Sequence, residues 1–231
     1  MRSPDETRHP QDARRRPPAT RGPGPRSGRA VDSSALDAEN YLELRVDQLL
    51  GLMADGEAPG GGSAAALTVA VAAGLVAMVA RASRSSWDEA GGVSAQALSV
   101  LERVGPLARA DAEAWQDAIA ALRDAGGDGD PERRDFELER KLERAAAVPL
   151  EIAELAADAT ALAVVAAERG EGSYRGDAAS AAALAAGAAR AAAHLVEINL
   201  GVRDSDPRLA RARACAEAAS DAAERVLEPA P

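Results

Sequence analysis

Aromatic side chains are almost missing from this chain: Tyr41, Trp87, Trp115, Phe136 and Tyr174 are all that occur in 231 residues. Runs of β-branched and aromatic residues, the material of β-strands, are equally scarce, which excludes a sheet-built fold. Only one cysteine is present, Cys215, so no internal disulfide can form. No histidine or second cysteine stands beside it to make a metal site. That usage fits a reducing compartment, and the expected location is cytoplasmic. Phosphate-binding fingerprints are lacking too. The run Gly60-Gly61-Gly62 has neither P-loop nor dinucleotide spacing, and no strand precedes it.

What fills the chain instead is alanine, 59 residues of it. Alanine favours helix and lets helix axes approach closely, so the expected fold is all-α, a single-domain multihelical bundle of about six helices. Its core would gain from tight backbone packing rather than from large buried rings. The length suits one domain, residues 34–228, preceded by a tail over residues 1–33. That tail is rich in Pro, Arg and Gly and has no apolar periodicity, so it is expected to be disordered. Arg14-Arg15-Arg16 is not followed by an apolar stretch, which argues against an export signal. Eight Arg against Asp5, Glu6 and Asp12 give residues 1–30 a net +5, leaving −15 on the rest of a chain whose total is −10. So acidic a body is a poor partner for nucleic acid, whose phosphates need Lys and Arg.

Periodicity and breakers divide the body. Helix one is expected over Ala35 to Met53, with Leu42, Val46, Leu49, Leu50 and Met53 as its apolar face. Helix two follows the glycines from Ala64 to Ser83. Residues 58–80 carry no charge, long enough to span a bilayer. The abundance of Ala and Gly favours a buried central helix instead. Helix three covers Val93 to Leu122 with a bend at Pro106. Helix four runs from Glu132 to Ala167, kinked at Pro149. Helix five spans Asp177 to Leu200, and helix six Pro207 to Leu227.

Several polar residues fall where they ask for an explanation. Pro59-Gly60-Gly61-Gly62-Ser63 bares a short arc of backbone before a helix start, with Ser63 placed to cap it. Such an arc gathers N–H groups that suit an anionic ligand group, although it also reads as a flexible turn. Asp111 sits inside the stripe Val104, Ala108, Trp115, Ala118 and Leu122, either buried or solvated beside Glu113. Asp177 heads the stripe Ala181, Leu184, Ala188, Ala191, Leu195 and Ile198, where it serves as an N-cap, faces a cleft, or does both. Asn199, between Ile198 and Leu200, fixes a neighbouring backbone or a ligand. His194 stands alone and reads as a packing or surface residue.

Together these residues resemble the cyclodeaminase/cyclohydrolase family of folate enzymes. The likeness runs from Tyr41 to Leu200 and rests on Pro59-Gly60-Gly61-Gly62-Ser63-Ala64-Ala65-Ala66-Leu67, Asp111-Ala112-Glu113-Ala114-Trp115 and Ala145-Ala146-Ala147-Val148-Pro149-Leu150. Glu168-Arg169-Gly170, Asp177 and Ile198-Asn199-Leu200 complete it. The chain departs from the pattern at Glu171 and Leu195, where the family has Asn, at Gly176, where it has Ser, and at Trp115, where another aromatic is usual.

The resemblance implies a helical, usually dimeric enzyme with a tetrahydrofolate derivative as substrate, no permanently bound cofactor, no metal, and no membrane or nucleic-acid partner. Two reactions follow from it. One closes 5-formiminotetrahydrofolate to 5,10-methenyltetrahydrofolate with loss of ammonia; the other adds water to the methenyl group. Asp111 or Asp177 would transfer the proton while the other stabilises the cationic carbon. Gly60 to Ser63 would hold a carboxylate or carbonyl of the folate, and Trp115 and Asn199 would contact the ring system. A non-catalytic helical binding module of the same fold is the competing class.

Overall fold

Long stretches of Ala, Leu, Glu and Arg lose little side-chain freedom on entering a helix, and the chain uses them almost without interruption. The computed structural model describes residues 41–56, 59–124, 130–201 and 206–228, all within one unit, Val31–Pro231. The disordered tail expected over residues 1–33 and the first part of helix one lie outside these residues. Among the described residues the α-helices are α1 Val46–Asp55, α2 Gly61–Ala82, α3 Ala90–Val104, α4 Leu107–Asp124, α5 Pro131–Arg169, α6 Arg175–Leu200 and α7 Pro207–Leu227. Short 3-10 turns occupy Tyr41–Glu43 and Gly172–Tyr174, and no strand occurs among these residues.

The all-α expectation holds, with local revisions. Helix three is two helices, because Pro106 has no N–H to continue the ladder and Gly105 closes α3 on the Leu101 carbonyl. α1 begins only at Val46, after an extended Arg45, so the register assumed for its apolar face is lost. Val46 and Leu50 are exposed, Leu52 is buried and Leu49 packs on the core. α5 stays helical through Pro149 for 39 residues.

α2 packs against α3, α4, α5 and α6. Of its most apolar window 61% is buried in the bundle, which fits the central-helix reading. The start of α2 lies by Leu195, near the end of α6. Its final turn lies by Gly170, just ahead of α6, so α2 and α6 run antiparallel. A Cβ on Gly170 would press on the Ala166 carbonyl, Val79 and the Ser83 hydroxyl. Ser83 Oγ in turn accepts the Glu171 N–H at 2.9 Å and donates to Val79 O at 2.8 Å. Gly170→Ala is expected to lower stability by about 1–3 kcal/mol in chemical denaturation while leaving ligand affinity unchanged, because it crowds the end of the bundle away from the cavity described next.

Candidate active site

The three glycines do not precede α2; they begin it. Gly60 is the extended N-cap residue, and the Ala64 N–H closes the first turn on the Gly60 carbonyl at 3.0 Å. Ser63 therefore sits inside the helix and does not cap it. Its buried hydroxyl donates to the Ala108 carbonyl of α4 at 2.5 Å, tying the two helices together.

That tie brings Asp111, one turn further along α4, against the start of α2. The Ser63 N–H is one of the helix-start amides with no intrahelical acceptor, and it donates to the Asp111 carboxylate. A Cβ on Gly62 would overlap that carboxyl group, so glycine is what lets it approach. The anion at this helix start is thus the protein's own side chain. For Ser63, this replaces the expected role of holding a carboxylate of the ligand. Burial pushes the Asp111 carboxyl up to about 6, with the Ser63 N–H pulling partly the other way. Glu113 is not its companion: it pairs with Arg109 at 2.7 Å and reaches Arg144 at 3.9 Å.

Asp111 faces a cavity of about 400 Å³. Pro59, Gly60, Gly61 and Gly62 form one wall, and Asp111, Trp115 and Gln116 of α4 another. Leu195, Ile198 and Asn199, from the last turns of α6, close it. Seven of the nine residues expected at the site therefore share one cavity. Gln116 was not anticipated, since a lone amide next to Trp115 carries no pattern.

Asn199 has a specific structural task. Its side-chain N–H donates to the Ala145 carbonyl at 2.5 Å. Ala145 lies four residues before Pro149, so its carbonyl is the one that the proline deprives of an intrahelical donor. Asn199→Ala should cost about 1–2 kcal/mol in denaturant unfolding, and the loss should shrink in a Pro149→Ala background, where residue 149 regains its N–H.

Asp177 does not belong to this cavity. It lies in the first turn of α6, whereas Asn199 lies in the last, roughly 30 Å away along the axis at 1.5 Å per residue. Within one chain it cannot share a substrate atom with Asp111, so the two-aspartate site expected from sequence is corrected to a site with one. Glu171 and Gly176 lie at that same far end, whereas the other two departures, Trp115 and Leu195, line the cavity. His194 is exposed, 3.8 Å from Glu197. Among the described residues no three His, Cys, Asp or Glu side chains are grouped to hold a metal ion.

Comparison with known proteins agrees with the all-helical fold. The formiminotransferase-cyclodeaminase family matches residues 46–223, from the start of α1 into α7. The chain belongs to that family. The fold is similar to the crystal structure of formiminotetrahydrofolate cyclodeaminase from Thermotoga maritima, with a TM-score of 0.70 and 23% identity over 81% of this chain and 97% of that one. No curated protein matches the chain. For a formiminotransferase-cyclodeaminase family member, the glycine–serine segment and Asp111 now have a joint physical role: the segment admits the carboxyl group, and burial tunes it.

Proposed function

We propose that this chain is a folate one-carbon enzyme that closes 5-formiminotetrahydrofolate to 5,10-methenyltetrahydrofolate and releases ammonia. The observation that carries this is the Asp111 carboxyl, raised to about 6 and facing a cavity large enough for a heterocycle, in a chain of this family. N10 attacks the carbon of the protonated, cationic formimino group; the new C–N10 bond forms as the C=N π pair withdraws onto the terminal nitrogen, which becomes an amino group. The ionised Asp111 takes the N10 proton and returns it to the amino group, and the C–N bond to that group breaks as ammonia leaves. The electron pair on N5 then completes the methenyl cation. A carboxyl group titrating near neutrality suits such a relay, since it both accepts and gives back a proton. Trp115 offers a ring face for the pterin or the aminobenzoyl ring, and Asn199 keeps the Ala145 wall in place.

Water addition to the methenyl carbon uses the same carboxylate as base for the water. Following methenyl absorbance and ammonia with both substrates separates the reactions. Methenyl formation with equimolar ammonia supports ring closure, whereas methenyl loss alone assigns cyclohydrolase activity. Saturable folate binding with neither change, a result that Leu195 in the cavity would help to explain, assigns a binding module. The enzyme would act in the cytoplasm as a homodimer, which sedimentation equilibrium tests, with folate as substrate and no resident cofactor.

A further inference from the structure

The cavity at Asp111 does not end there. A second cleft of about 480 Å³ shares Gly56, Trp115 and Gln116 with it and continues past Ile119 and Ala120 to Arg123. Asp111, Trp115, Ile119 and Arg123 recur at every fourth position, so each lies one turn from the next on a stripe that winds gradually around α4. At 1.5 Å per residue the two charged ends lie about 18 Å apart. Among the described residues Asp111 and Arg123 are the charged ones that line these spaces. Between them lie Trp115, 47% exposed, Ile119 and Ala120, with Gln116 as the polar residue of that stretch.

An elongated site with a proton-exchanging carboxyl at one end, an indole face midway and a guanidinium at the other selects for one kind of ligand. It is a molecule whose reactive polar heterocycle joins an aromatic linker that ends in a carboxylate. We infer that Arg123 is the anchor for the carboxylate tail of the substrate, held through the paired N–H groups of its guanidinium. The inference rests on the folate reading, in which the tail is the glutamyl group. It also adds that tail recognition occurs on α4, on the same helix as the proton-transfer group.

The competing role for Arg123 is a cation in the last turn of α4, favourable to the helix dipole and indifferent to ligand. The test compares 5,10-methenyltetrahydropteroylglutamate with the tail-less methenyltetrahydropteroate, in wild type, Arg123→Gln and Arg123→Lys. Wild type should bind the glutamyl compound roughly 10- to 100-fold more tightly, the range expected for a charge-assisted pair. Arg123→Gln should erase that preference by weakening binding of the glutamyl compound alone, with affinity for the tail-less compound unchanged. Arg123→Lys should retain part of it, as a charge without the planar fork. Equal affinity of wild type for both compounds, or an equal loss for both in Arg123→Gln, would overturn the tail subsite and leave the folate reading standing. If wild type binds neither compound, the folate reading fails and the subsite falls with it.

Discussion

Asp111→Asn is expected to reduce turnover by roughly 10²- to 10⁴-fold while leaving the protein at least as stable at pH 7 as the parent. The two effects share one cause. In the native state the carboxyl keeps its proton up to about pH 6, whereas the unfolded chain gives it up near 3.8. Between those values the native state binds more protons than the unfolded state, so stability falls as pH rises through the window and stays lower above it. At neutral pH the ionised, largely buried group costs on the order of 2–3 kcal/mol. Asparagine carries no charge, and its carbonyl can still accept the Ser63 N–H, so the variant should lack that slope. Unfolding in denaturant at pH 4 and pH 7 measures the difference. If Asp111 acts as the base, kcat/KM of the parent should rise with pH through about 6. Unchanged turnover in a folded Asp111→Asn protein would remove this residue from the chemistry.

Gly62→Ala should be nearly as damaging to activity, by a different route. Alanine in place of glycine inside a helix ordinarily gains about 0.5–1 kcal/mol. Here the new methyl group would occupy the space of the Asp111 carboxyl, so α4 must retreat or the carboxyl must turn away. A displacement of that size is expected to cost about 100-fold in turnover and about 1–3 kcal/mol in stability. Gly61→Ala is the control: among the described residues its Cβ would meet Leu195, at an ordinary 3.9 Å. Unfolding of that variant should match or exceed the parent. Equal losses at both positions would mean that the segment needs glycine for its backbone rather than for the approach of Asp111.

Much of this architecture was legible before any coordinates. Ends of helices are announced locally: Gly105-Pro106 stops α3, and Asp206 before Pro207 starts α7 by accepting the Arg208 N–H at 2.9 Å. Faces were harder to read. In α6 the expected stripe included Leu184 and Ile198, yet both are substantially exposed, while Ala178, Ala182, Ala185, Ala189, Ala192 and Val196 are buried. Where nearly every position is alanine, apolar periodicity carries little phase information, and the inward face is chosen by the helices that pack against it.

The sequence by itself determined that the chain is helical, where most helices stop, and that Asp111 and the glycine run were candidates for one site. These depend on steric and hydrogen-bonding preferences among residues a few positions apart. Only the tertiary structure decided that Asp111 joins the glycines while Asp177 sits at the other end of α6, that Ser63 bonds α4 instead of capping, and that Asn199 serves the carbonyl freed by Pro149. Each of these pairings joins residues 45 or more positions apart. They arise from how closely small-residue helices approach one another, which local preference does not encode.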